Sequence, residues 1–340
     1  MLKTFPETLV SQLLAGNRRA LARTITAVEN EAPESVEILK TLYPYTGRAY
    51  TIGITGAPGT GKSCLVTALT QHLRKQNKTV GIIAVDPTSP FTGGAVLGDR
   101  FRMRDLSGDS GVFIRSMASR GHLGGLARTT YDVMRVMDAA GFDIIIIETV
   151  GAGQNEVEIV KAADTTIVVE APGLGDDIQA IKAGILEIAD ILVVNKADSP
   201  LVQNTVRALK AMLDLGHRQR LVAHHGQLMA QTDSTGAPEY DFREVPIIQT
   251  VAINGQGIST LVEAIDAHRS YLAENGIRQD RQRARLQGEL IARLKETLLK
   301  NLLDTVPDET FDQLIESLLA RQIDPVSAVQ SLLNPQRPLS

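Results

Sequence analysis

Eight consecutive residues, Gly56-Ala57-Pro58-Gly59-Thr60-Gly61-Lys62-Ser63, restrict what this chain can fold into more than any other feature does. The β-branched run Tyr50–Thr55 stands before them and the helical pattern Cys64–Lys75 follows. In that strand, turn and helix setting, the glycines let successive backbone N–H groups face one point at the positive end of a helix. Lys62 can then reach the β- and γ-phosphates of a nucleotide, and Ser63 can ligate Mg²⁺. Gly56 to Cys64 are therefore the expected nucleotide-binding residues. A glycine-rich turn that binds nothing is the bland alternative, and the full match in the required context speaks against it.

The surrounding pattern agrees with such a loop. Between Ala49 and about Ala267, short β-branched runs alternate with helical patterns: Tyr50–Thr55, Thr79–Val85, Gly111–Ile114, Ile144–Ile147, Thr165–Val169, Ile191–Val194 and Pro246–Val251. That alternation predicts stacked βαβ units and an α/β fold with a mostly parallel sheet flanked by helices, the P-loop NTPase kind. Runs such as Ile144–Ile147 and Ile191–Val194 lack polar alternation, as expected of central strands covered on both faces. Two amphipathic helices, Phe5–Asn17 and Arg18–Asn30, precede the core. After Gly276 comes an Arg/Gln-rich helix whose Leu286, Leu290, Leu294, Leu298 and Leu302 fall at four-residue spacing and form one stripe that needs a partner surface. Helices are expected over Pro307–Gln322 and Pro325–Leu333, ahead of the proline-rich stretch with Pro335 and Pro338. The expected division is 1–47 as a helical extension, 48–270 as the nucleotide domain and 271–340 as a helical arm.

Two further motifs sit at strand ends, where loops leave the carboxyl edge of a parallel sheet and meet ligands. Asn195-Lys196-Ala197-Asp198 follows the strand Ile191–Val194. Asp198 can accept from both N1–H and the exocyclic amine of guanine, a donor pair adenine lacks, so the motif selects GTP and GDP over ATP. A helix-capping aspartate is the plain alternative. Glu148 ends the strand Ile144–Ile147 and is followed by Thr149-Val150-Gly151. Glu148 can hold Mg²⁺ or its water and the Gly151 N–H can bond a γ-phosphate oxygen; a strand-end acid that caps the next segment is the alternative. Asp86, ending the strand Val80–Val85, and Asp99, in a glycine-rich loop, either converge on the same place or are ordinary turn aspartates. The glycine-rich stretches Phe91–Arg104, Ser119–Gly125 and Gly151–Glu156 are candidate switches that a γ-phosphate could order, or simply connections.

Composition excludes several classes. The net charge of −4 gives no strong general attraction to nucleic acid. The single cysteine, Cys64, permits neither an intramolecular disulfide nor a cysteine-based zinc site, which fits the cytoplasm. Met1–Val10 carries no apolar run of signal-peptide length, and no later stretch reaches membrane-spanning length, so neither export nor insertion is expected.

Gly56–Ser63, Asp86-Pro87-Thr88-Ser89-Pro90, Gly93–Arg100, Glu148-Thr149-Val150-Gly151-Ala152-Gly153-Gln154 and Asn195–Asp198 together resemble the MeaB/ArgK family of methylmalonyl-CoA mutase-associated GTPases. Pro172–Gly184 is similar to that family's additional switch. The resemblance implies a SIMIBI-class GTPase, commonly a homodimer held partly by a C-terminal helical arm. It implies a chaperone that gates cobalamin loading and protects a B12-dependent acyl-CoA mutase. It places the active-site acids on Asp86, Asp99 and Glu148, the phosphate-binding lysine on Lys62, and Mg²⁺ among Ser63 and those acids. The Leu286–Leu302 stripe fits the arm, although a helix packed on its own domain would show the same stripe.

One loop departs from the family pattern: Thr250-Val251-Ala252-Ile253 has Val251 where a serine is usual. Base contact there is therefore expected from the backbone N–H groups of Ala252 and Ile253. The residue after Gly151 is Ala152, whereas small GTPases usually position the attacking water with Gln at that point, and Gln154 lies three residues past the glycine. Slow intrinsic turnover, on the order of 10⁻⁴ to 10⁻² s⁻¹, and acceleration by a client follow as expectations. A nickel-delivery GTPase would need histidine or cysteine clusters, and only His224-His225 with His217 nearby stand together. A small-molecule kinase is disfavoured by Asp198, and a regulatory module that holds nucleotide without turnover is the remaining alternative.

Overall fold

The computed structural model describes residues 5–86, 103–106, 108–118, 128–149, 162–173, 188–216, 219–224, 227–232 and 245–333. The chain starts with three helices, α1 (Phe5–Leu14), α2 (Arg18–Glu29) and α3 (Ser35–Leu42). The third is too short to stand out in the sequence pattern. Asn17 caps α2, its side chain accepting from the N–H groups of Arg19 and Ala20.

Seven parallel strands form the sheet: β1 (Tyr50–Thr55), β2 (Val80–Asp86), β3 (Val112–Ala118), β4 (Ile144–Thr149), β5 (Thr165–Glu170) and β6 (Ile191–Val194), with β9 (Ile247–Gln249) last. Their order is β3-β2-β4-β1-β5-β6-β9. Between β6 and β9 the chain adds a hairpin, β7 (Gln219–His224) and β8 (Gln227–Thr232), which the strand pattern above omits. The last strand is shorter than Pro246–Val251, because Val251 turns away into an isolated antiparallel bridge with Gln256.

The uninterrupted isoleucines of β4 show why both faces must be covered. Ile144 and Ile146 lie in one apolar core with Leu65 and Leu69 of α4 (Lys62–Lys75) and Leu261 and Ile265 of α7 (Ile258–Glu274). Ile145 and Ile147 lie in the other, with Leu13, Ile25, Ile38 and Leu42 of the first three helices and Val133 and Met137 of α5 (Arg128–Ala139). Each such side chain contributes about 1.5–3 kcal/mol of burial. The N-terminal helices thus close one face of the sheet and belong to the same compact unit, residues 1–220 and 230–279. Helix α6 (Val202–Gly216) covers β6 from the side through Val206 and Leu209.

A second unit comprises residues 221–229 and 280–340. It holds most of α8 (Ile277–Thr305), then α9 (Asp308–Leu319) and α10 (Pro325–Leu333). None of the described side chains of α8 is buried. Gly288 lies within this helix and has open space where a Cβ would stand. No described helix is long and apolar enough to cross a membrane.

Candidate nucleotide-binding site

Strand β1 lies between β4 and β5, so the loop at its head has neighbours on both sides. Gly56 has φ +138°, and a Cβ there would stand 2.1 Å from the carbonyl oxygen of Val169 on β5. Gly61 has φ +89°, and a Cβ there would meet the Asn195 amide nitrogen at 2.4 Å. Only glycine fits either place. Helix α4 then starts at Lys62, two residues before the expected Cys64, so Lys62 and Ser63 are its first residues. Both are buried, while Cys64 is exposed.

Lys62 Nζ donates to the carbonyl oxygens of Gly56, at 2.7 Å, and Ala57, at 3.0 Å. The ammonium group is therefore held inside the curve of the loop. Ser63 Oγ donates to Glu148 Oε1 at 2.7 Å, and both groups are buried. That contact joins the start of α4 to the end of β4 and sets the two residues side by side. A hydroxyl and a carboxylate are hard oxygen donors of the kind Mg²⁺ takes, and glycine leaves the loop open to a phosphate, so the residues present fit both groups. Asp86 is the last residue of β2, whose register against β4 pairs Ala84 with Glu148 and Val85 with Thr149. It therefore ends one strand away from Glu148. Its side chain lies outside the description, as do Asp99, Gly151 and Gln154 and most of the expected switch segments.

Asn195 is buried and links three loops. Its Nδ2 donates to the Thr60 carbonyl at 2.9 Å, and its Oδ1 accepts from Thr250 Oγ1 and from the Ala252 N–H, both at 3.1 Å. Lys196 takes a left-handed φ of +57° and sends its Nζ to the Gly59 carbonyl at 2.8 Å. Asp198 is exposed at the open rim, as is the Ile253 side chain. The expected role of Ala252 changes accordingly: its N–H is donated to Asn195, so it fixes that amide. Thr250 supplies a hydroxyl one position before the unusual Val251, a contribution the linear pattern could suggest only once Asn195 was known to face it.

A parallel sheet with its lysine loop at the head of an inner strand, a serine–carboxylate contact beside it and an Asn-Lys-x-Asp loop fastened to it define a P-loop GTPase. Within that class the chain belongs to the MeaB family, described as methylmalonyl-CoA mutase-associated GTPases, whose model matches residues 21–306. A Pyrococcus abyssi protein named as a GTPase is 45% identical over 325 residues, covering 96% of this chain and 95% of that one. Escherichia coli GTPase ArgK is 42% identical over 193 residues, 56% of this chain and 58% of its own. A Caenorhabditis elegans protein named methylmalonic aciduria type A homolog, mitochondrial, is 39% identical over 208 residues, 57% of this chain and 52% of that one. Among solved structures, one titled LAO/AO transport system kinase superposes with a TM-score of 0.70 at 25% identity, covering 98% of both chains.

Proposed function

We propose that this chain hydrolyses GTP with Mg²⁺ slowly on its own, and that a B12-dependent acyl-CoA mutase of the methylmalonyl-CoA mutase type accelerates it and is protected by it during cobalamin loading. The observation that carries the hydrolytic half is the buried Ser63–Glu148 contact beside Lys62. The mutase half is supported by the family's description and by the name of the nematode relative.

In this reading Lys62 holds the β- and γ-phosphates, the N–H groups of Gly59 to Cys64 cradle them, and Asp198 orients guanine. Ser63 and Glu148, with Asp86 and Asp99, hold Mg²⁺, which when bound neutralises charge on the phosphate oxygens. Gly151 bonds the γ-phosphate, and Gln154 reaches the attacking water only when a client orders its loop. The three segments 1–47, 48–270 and 271–340 act as helical extension, GTPase domain and dimerisation arm of a cytoplasmic homodimer. The test titrates methylmalonyl-CoA mutase into a GTPase assay with wild type and Gln154→Ala. Stimulation of the wild type that is lost in the variant supports the reading. Fast hydrolysis by the isolated protein, or no stimulation, would sink the chaperone role while leaving the GTPase assignment standing.

A further inference from the structure

At the opposite end of the sheet from the nucleotide loops lies a buried chain of polar side chains that the proposed mechanism does not use. Tyr50 Oη meets Thr165 Oγ1 at 2.5 Å, Thr165 Oγ1 meets His268 Nδ1 at 2.8 Å, and His268 Nε2 meets Asp190 Oδ1 at 3.3 Å. Asp190 Oδ2 also accepts from the Thr166 N–H at 2.8 Å. Tyr50 starts β1, Thr165 starts β5, Asp190 immediately precedes β6, and His268 lies in α7. Four separate elements are joined through Tyr50, Thr165 and His268, which are buried, and Asp190, which is partly so.

The chain has a direction. Burial pushes the Tyr50 hydroxyl up to about 12, so it keeps its proton. In the assignment where Tyr50 donates to Thr165, the threonine proton goes to His268 Nδ1 and a neutral ring carries its own proton on Nε2, facing Asp190.

Its location matters more than its chemistry. From Asp190 the chain runs through β6 to Asn195 and the Asn195–Asp198 loop, while α7 runs back from the Val251–Gly257 loop to His268. At ~3.3 Å per strand residue and ~1.5 Å per helix residue, both paths are about 16 Å long. Their heads are tied by Ala252 N–H to Asn195 and by Ala197 N–H to the Thr250 carbonyl. Their feet are tied by His268 to Asp190. Between the two ties α7 packs through Ile258, Leu261, Val262 and Ile265, and apolar contact is non-directional, so it sets which face is buried far better than it sets axial register.

We propose that His268, held by Thr165 and Asp190, is a positioning residue for base recognition: it sets the register of α7 against β6, and with it the fit of the Val251–Gly257 loop on Asn195. This rests on the reading that Asn195 and Asp198 bind guanine. The phosphate loop takes its backbone from β1 and α4 and meets the base loop at the Thr60 and Gly59 carbonyls, so its affinity for a phosphate chain depends less on that register than guanine binding does.

Full-length protein is titrated calorimetrically with GDP, ADP and inorganic tripolyphosphate, at a temperature where each variant retains the wild-type circular dichroism. Thr165→Val and His268→Phe each weaken GDP by about tenfold and narrow the GDP-over-ADP preference equally, with a clearly smaller loss for tripolyphosphate. Thr165→Ser, which keeps the hydroxyl, restores the wild-type preference. Spectra of ¹⁵N-histidine-labelled protein show His268 with its proton on Nε2. GDP affinity within twofold of wild type in both variants, an equal loss for tripolyphosphate, or a proton on Nδ1 overturns the proposal. If wild type has no GDP preference, or Asp198→Asn retains it, the guanine reading falls first and takes this one with it.

Discussion

The sheet and the long C-terminal helix obey the same hydrophobic rule with opposite results. In β4 four consecutive isoleucines are all buried, because helices cover both faces of the sheet. In α8 a leucine stripe just as regular stays in water, with Leu290, Leu294 and Leu298 at 69%, 55% and 58% exposure. Leu319, Val326 and Val329 in the two helices that follow are exposed as well. The contrast teaches that apolar periodicity states a need for a covering surface and is silent on where that surface comes from. The sheet finds it within its own chain; the stripe finds none among the described residues, and its cover is the second copy of the proposed homodimer.

If the sheet unit is self-sufficient, its chemistry should fail by single residues. Lys62→Ala removes the ammonium bonded to the Gly56 and Ala57 carbonyls and should lower single-turnover GTP hydrolysis by about 10³-fold. A rate within tenfold of wild type would separate the loop from catalysis. Asp198→Asn should weaken GTP binding by about 2–4 kcal/mol and move preference towards xanthine nucleotide, measured by calorimetry. Unchanged GTP affinity would remove Asp198 from the base site.

The stripe should fail differently. Leu290→Glu combined with Leu298→Glu should raise the subunit dissociation constant at least about tenfold in light scattering and leave GDP affinity untouched. A wild-type chain that is already monomeric would break the comparison, since the stripe would then have no covering copy.

The smallest effect marks where the core's self-sufficiency thins out. The Arg74 guanidinium bonded to Asp109 holds that carboxyl below its usual range, with the Gly111 N–H helping. A lowered folded value means the stabilisation is complete above the unfolded value near pH 4 and disappears as pH falls through the folded one. Both side chains are partly exposed, at 23% and 34%, so the pair contributes at most about 1 kcal/mol. The stability gap between wild type and Arg74→Met should be flat above about pH 5 and close below pH 4. A gap that persists once Asp109 is protonated in the folded state would mean that Arg74 acts through its packing and its bond to the Lys78 carbonyl.

Much of the fold was readable because its strands are short, apolar and β-branched: Tyr50–Thr55 and Ile191–Val194 stand in the structure with the limits their composition suggests. The hairpin Gln219–Thr232 was not, since polar and histidine residues dilute its alternation. Helix α3 spans eight residues, too few for a helical period to show. In the site, Lys62, Ser63 and Glu148 were legible from local motifs. The part that needed three dimensions is the set of ties between loops: Gly61 against Asn195, Gly56 against the Val169 carbonyl, and Thr250 behind Asn195. These join residues tens of positions apart, and no local pattern encodes them. His268 was invisible for the same reason.

Gly288 carries a last consequence. Helix α8 is 29 residues long, ~43 Å of rod, and this glycine falls ~17 Å from its start. Nothing crowds the position, so no neighbour requires the missing methyl, yet glycine there forgoes about 1 kcal/mol of helix stability relative to alanine. In mechanical terms the rod has one weak rung. It should open locally about fivefold more often at that turn than an alanine-bearing rod would, so a load carried along α8 bends it there first.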